Sequence, residues 1–438
     1  MTASAVFFYG PLIMATDVDV QYFSHLNGLV LGNNWGDLIR LLDKALVTGI
    51  DFTQITAASI DEQGDVSITL FAAHNARNFQ VVELSGFVPN SLNQKYRIKG
   101  VPSTTRLILK PQNAITETSI SLIGSGKLAS LGYDIIFRDT NDVKRVYRAK
   151  NPTAQHPFIR VDESLASPDG TSGIYTSSYA KYAMVGLLEK MKHIDDYENL
   201  DVLQLPLSTA SPGINYNISG VGGGVNRGWS KWYFANRNIN IGGSDSSEPV
   251  AGSRFFTLCG DRDAFYLVNS MDLTQRNKLV NGCGLFNSAL EDQVIPSWFL
   301  MTSLNRSAAS TSLQLFAYAG GISLNYAQEN SCFFTTRYSP LTRISNHVKA
   351  YPIMPDYQTG NSSLALTPSL VSMEIPFYDE LKVLRGNLKH VNYIASTGMG
   401  NISVAAPRLF DSSMYVYDST YNPTSNASGV SFYLGELD

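Results

Sequence analysis

Short runs of β-branched and aromatic residues, broken by turn residues about every ten positions, constrain this chain more than any other feature. In "DVSITLFAAH", Val66, Ile68 and Leu70 alternate toward one face behind the turn-like "DEQGD", which is the pattern of a strand with one buried side. "FQVVELSG", "KYRIKGV" and "TRLILK" follow at similar spacing, so residues 53–112 are expected to close a small β-barrel module. "SISLIGSG", "YDIIFRD", "KRVYRAK" and "PFIRVDE" extend the pattern, and "RFFTLCGDRDAFYLV" reads as two strands around a Gly-Asp turn. "PSWFLMTS", "TSLQLFAYAGG", "CFFTTRYS", "LVSMEIPFYDE" and "VSFYLGEL" carry it to the C-terminus. At 438 residues the chain exceeds one ordinary core. The expected fold is mainly β, built of several sandwich or barrel modules. Its parts are an N-terminal arm at 1–17, a helical segment at 18–52, the β-barrel module at 53–112, a β-rich domain at 113–250 and a C-terminal β-rich domain at 251–438.

Two segments break the strand pattern. In "NNWGDLIRLLDKALVTGID", Trp35, Leu38, Ile39, Leu42, Ala45 and Leu46 recur at three- and four-residue steps and share one helical stripe, while Asp37, Arg40, Asp43 and Lys44 fall off it. Asn33 or Asn34 can accept from the first free amides, and Gly49 suits the left-handed residue that closes a helix. So short a helix is stable only when its stripe is buried. A second helix is expected near 177–197, where Tyr179, Tyr182, Ala183, Leu187 and Met191 share a face and Ser177 or Ser178 can cap.

The net charge is −4, and Lys and Arg are scattered without a basic run, so nothing marks a nucleic-acid partner. Charged residues make up 16%, against roughly a quarter in typical soluble domains. A surface so rich in Ser, Thr, Asn, Gly and Tyr is compatible with broad, fixed contacts as much as with a free enzyme. No apolar run reaches the ~18 residues of a membrane span, so no membrane insertion is expected. The opening "MTASAVFFYGPLIMA" lacks the basic start of a secretory signal and is interrupted at Gly10-Pro11. It reads as an arm that packs on a neighbour through Phe7, Phe8, Tyr9, Leu12 and Ile13.

Motifs with catalytic chemistry are weak. Cys259, Cys283 and Cys332 are odd in number and widely spaced, and read as small buried apolar residues. The six histidines are dispersed, with none at zinc-ligand spacing from another His or Cys, so no metal and no other cofactor is expected. "GVGGGVN" at 220–226 lacks the Lys-Ser/Thr pair and the following helix of a phosphate loop, and reads as a surface loop. "HIDDY" at 193–197 reads as a solvated face or cap. "LCGDRDAF" brings Cys259, Asp261, Arg262 and Asp263 together, yet a hairpin turn accounts for it. "GWSKWYFA" is the candidate contact surface: Trp229, Trp232, Tyr233 and Phe234 could anchor an interface or stack on sugar rings. In a strand, however, Trp232 and Phe234 face one side and Tyr233 the other, so core packing is the competing account.

Taken in order, these segments resemble a family of tailed-bacteriophage structural proteins encoded among tail and baseplate genes. "WGDLIRLLDKALVTGID" is similar to its "LI-LLD-LV-G" signature, preceded by "YFSHLNGLVL" and followed by "VVELSG" and "QKYRIKGV". "RVYRAKNPTAQHPFIRVDES", "YAKYAMVGLLEKMKHIDDY", "GWSKWYFANR", "RFFTLCGDRDAFYL", "GCGLFNSALEDQVIPSWFL" and "LRGNLKHVNYI" resemble its later segments in the same order. The arm at 1–17 lies outside the pattern, and "NLKHV" replaces an "LPGL" element. The resemblance implies a non-enzymatic virion component, assembled in multiple copies at the tail, baseplate or neck. Its expected partners are itself and other virion proteins. The alternatives are a receptor-binding adhesin with a host-surface glycan as partner, a capsid decoration protein, or an enzyme degrading surface polysaccharide.

Overall fold

The computed structural model describes residues 16–165, 179–207, 230–237, 248–274, 278–290, 295–304, 332–338, 347–353, 372–394, 405–420 and 428–437, with 213, 216, 218–219 and 226–227 besides. The expected arm residues Phe7, Phe8, Tyr9, Leu12 and Ile13, and Trp229, lie outside them. The fold is mainly β, as the strand-like runs require.

Three antiparallel sheets carry it. The first runs in the order Ile50–Asp51, Ser125–Leu128, Val81–Ser85, Lys95–Ser103, Arg106–Pro111, Val66–Leu70, Ile55–Ile60. Its two ends are consecutive in the chain, so the sheet rolls up as a barrel-like module. Val66, Ile68 and Leu70 point inward, as their alternation predicts. The second runs Ser303–Leu304, Ser230–Ala235, Lys181–Leu188, Phe158–Asp162, Lys144–Ala149, Tyr133–Arg138, with Gln204–Leu205 also paired to Lys181–Leu188. The third has thirteen strands among the described residues, and the early strand Gln21–Ser24 forms one edge beside Phe256–Gly260.

The helix expected near 177–197 is instead a strand. Lys181–Leu188 lies between Phe158–Asp162 and Ser230–Ala235, and all eight of its residues are buried. A strand covered on both faces loses its alternation and reads as a continuous apolar run, in which any three- and four-residue spacing can be found. Asp195 of "HIDDY" is likewise no helix cap: it accepts from Arg160 Nη2 at 2.5 Å and pairs with Lys144 Nζ at 3.0 Å.

The first helix forms where expected, as α-helix Asp37–Leu42 continuing into π-helical Asp43–Thr48. Leu38, Ile39, Leu42, Ala45 and Leu46 are fully buried in one core that also holds Val82 and Leu84 of the barrel, and Trp232, Phe265 and Trp298 of the other two sheets. Its cap differs from expectation. Neither Asn33 nor Asn34 caps through its side chain; the buried carboxylate of Glu163 accepts from Gly36 N at 2.5 Å and Ile39 N at 2.8 Å. At the other end Gly49 closes the helix with a positive φ, but its φ +74° and ψ −167° lie outside the left-handed helical region expected; glycine is needed because a Cβ there would stand 2.1 Å from Leu128 O. Tyr147 Oη donates to Asp43 at 2.7 Å. The helix is thus a wedge held by the barrel on one side and the second sheet on the other. No described helix is long and apolar enough to cross a membrane.

Candidate functional site

The aromatics singled out by sequence fall in the core. Trp232 and Phe234 are 0% exposed and Tyr233 is 1% exposed. As alternation predicts, Trp232 and Phe234 join the central core while Tyr233 packs on the opposite side. Trp232 Nε1 donates to Met301 O at 2.9 Å, and Tyr233 lies 4.9 Å from the Tyr182 ring. They present no surface to a ligand. The three cysteines are buried, and burial pushes their thiols up, that of Cys332 to about 11.

The concave polar surface lies elsewhere, on the outer face of the third sheet, where the strand Leu384–Ile394 bulges. Glu374 pairs with Asn392 and Pro376 with Asn387, so the single residue Ile375 faces the four residues 388–391. Such an insertion bends the strand and re-aims its side chains. His390 takes φ +63° within it, a conformation that persists only where surrounding contacts enforce it.

Those contacts come from the turn between Phe256–Gly260 and Ala264–Ser270. Asp261 Oδ1 accepts from the amides of Asp263 and Ala264 at 2.8 and 2.9 Å, which is the hairpin read from sequence. Its Oδ2 lies 2.9 Å from His390 Nε2, and Asp263 Oδ2 accepts from Lys389 Nζ at 2.6 Å. Tyr266 Oη donates to Lys389 O at 2.9 Å. The second Asp263 oxygen meets His156 Nε2 at 2.9 Å. Because the Thr153 amide donates to His156 Nδ1, the proton of this imidazole sits on Nε2 and points at Asp263. The hydrogen bond from His156, aided by Lys389, holds the Asp263 carboxyl far below its usual range. Burial pushes Asp261 up, but the His390 hydrogen bond and charge outweigh it and the net shift is downward.

Beside this clamp lies a surface groove of about 560 Å³, lined by Asn287, Glu374, Asn387, Asn392, Lys389 and His390 on one side and by Ser413, Tyr415, Tyr433 and Glu436 on the other, over Leu388. Asn387 Nδ2 donates to Glu374 at 2.8 Å. Glu436 accepts from Ser412 Oγ and Ser413 Oγ, both at 2.6 Å, and from Tyr433 Oη at 2.5 Å. Burial raises the Glu436 carboxyl, and these three hydroxyls more than compensate, holding it low. The Tyr415 and Tyr433 rings lie 5.4 Å apart. No cluster of metal-ligating residues occurs among the described residues. The groove's lining comes from segments up to 149 positions apart, so sequence alone does not assemble it; the tyrosine-rich "FDSSMYVYDSTYNPTSN" at 410–426, which the sequence offers beside Trp229 to Phe234 as a receptor- or carbohydrate-binding surface, supplies Ser413 and Tyr415.

No family model matches the chain, and no curated protein matches it. Among solved structures, the phage phi92 endosialidase aligns over 89% of this chain and 52% of its own length, at 9% identity and a TM-score of 0.16. The chain spans about half the length of that enzyme, and a likeness at this level fixes neither the fold nor the site.

Proposed function

We propose that the chain is a structural component of a tailed-bacteriophage virion, built in multiple copies at the tail, baseplate or neck through contacts with itself and other virion proteins. The observation that supports this best is how the chain uses its buried charge. Arg97 donates to carbonyls of Asp17, Val20, Phe79 and Leu434. Lys278 and Asp418 form a fully buried pair 140 positions apart. Arg385 pairs with Asp379, and Asp263 joins His156 to Lys389. All but the Arg385–Asp379 pair, six positions apart, tie distant elements together, which suits a part that must keep its shape in an assembly. In this reading Asp261, Asp263 and Glu436 are structural groups: each carboxyl is held low by hydrogen bonds that tie neighbouring segments together.

The segments that resemble the phage family fall on the fold's framework, among them Gln21–Ser24, the helix, Lys144–Ala149, Ser230–Ala235 and Leu384–Ile394. Antibody labelling of purified particles, with copy number from quantitative gels, tests the proposal. Stoichiometric presence at one location on the particle is expected. A protein confined to infected cells and missing from particles overturns it.

A further inference from the structure

We infer that the groove over Leu388 is a binding site for a neutral oligosaccharide. The inference stands on the groove alone and goes beyond the virion reading. Its chemistry selects the ligand class in three steps. First, the groove opens where two strands part: Leu384–Ile394 and Ser428–Glu436 are paired only at 391–394 with 429–432, and beyond that register Asn387 to His390, Tyr433 and Glu436 line the gap.

Second, the side chains are those that meet hydroxyl groups. Among the described residues, the side-chain amides of Asn287 and Asn392 and the Tyr415 hydroxyl have no intramolecular hydrogen-bond partner, and each amide presents both a donor and an acceptor. Glu374 keeps acceptor capacity beyond its one bond to Asn387. Tyr415 and Tyr433 add ring surface, amphipathic and stiff, against which the C–H face of a pyranose can stack. The Glu436 carboxylate fixes the Tyr433 hydroxyl and Ser413 in place before any ligand arrives.

Third, the electrostatics reject an anion. The Lys389 ammonium is engaged by Asp263 and the His390 imidazole by Asp261, while Glu374 and Glu436 bring negative charge. A sialylated, uronate or phosphorylated sugar would meet like charge with no cation free to answer it among the described lining residues. The volume lies within the ~300–1,000 Å³ of small-ligand sites.

The test is saturation-transfer NMR on the full chain with four tetrasaccharides as probes: glucose, galactose and N-acetylglucosamine tetramers, and a tetramer of sialic acid. At least one neutral tetramer is expected to bind and the sialic acid tetramer is not. Asn392→Ala and Tyr415→Ala should each weaken that binding at least tenfold, while Tyr351→Ala, in the stacked Tyr351–Tyr378 pair away from the groove, leaves it unchanged. Asn392→Ala removes a side chain without internal bonds, so it decides the matter if Tyr415→Ala fails to fold. Silence of all neutral tetramers, preference for the sialic acid tetramer, or binding untouched by Asn392→Ala overturns the inference. Labelling of particles is a separate readout, so either proposal can fall while the other stands.

Discussion

Arg97→Met is the perturbation whose outcome the structure specifies most fully. The guanidinium is 0% exposed and makes no direct ion pair among the described residues; it donates to the carbonyls of Asp17 at 2.8 Å, Val20 at 2.9 Å, Phe79 at 2.6 Å and Leu434 at 2.9 Å. These carbonyls belong to the first described segment, the barrel and the last described strand, so one side chain joins the first and the last to the barrel. Hydrogen bonds from a charged donor contribute ~1.5–3 kcal/mol each, or ~8 kcal/mol for four. Burial opposes this, lowering the guanidinium pKa from its ordinary value to about 10, which corresponds to ~3 kcal/mol against the charged form. The difference predicts that Arg97→Met, similar in volume, destabilises by ~5 kcal/mol. Arg97→Lys should lose roughly half of that, because one ammonium has three donors and no fork to reach carbonyls on three sides. Guanidinium unfolding followed by tryptophan fluorescence measures both. A loss under ~1 kcal/mol for Arg97→Met would refute the reasoning, since the carbonyls would then have found other donors.

Further outcomes follow from single contacts. Burial raises the Glu163 pKa from 4.5 to about 8 despite its two amide partners; between those values the folded state holds the proton more tightly, so stability falls as pH rises through the window, by up to ~5 kcal/mol. Glu163→Gln should flatten that slope, which paired pH–stability curves for variant and wild type will reveal. Gly386 has φ +142° and a Cβ there would lie 1.9 Å from Asn287 O, so Gly386→Ala should destabilise by ~2 kcal/mol or more in thermal unfolding. At Gly100, where a Cβ meets only Ile108 side-chain atoms at 3.6 Å or beyond, the same change should be neutral or stabilise by ~0.4–1 kcal/mol. Asp263→Asn should destabilise by ~1–3 kcal/mol through Lys389 and His156. Arg262→Ala at the exposed neighbouring position should shift the unfolding midpoint within error.

How far the sequence could be read depends on how local each signal is. The apolar stripe of Leu38, Ile39, Leu42, Ala45 and Leu46 lies within one segment, and so does the closing Gly49; both are legible. The cap of the same helix is not, because Glu163 stands 127 positions from Gly36. Val66, Ile68 and Leu70 alternate because one face of their strand is covered and the other less so. Lys181–Leu188 is covered on both faces, its alternation vanishes, and a helix was the natural misreading. "GWSKWYFA" shows the converse limit: the strand periodicity placed Trp232 and Phe234 opposite Tyr233, but only the surrounding sheets decided that both faces are buried.

The sequence by itself determined the β character, the position of the first helix and the hairpin at Asp261–Asp263, since each follows from side chains within reach of their own backbone. Tertiary structure alone decided where charge is buried and where the surface is concave. Those properties depend on which distant segments meet: the bulge at 388–391 acquires its shape only when Asp261 and Asp263 arrive from another hairpin to hold it.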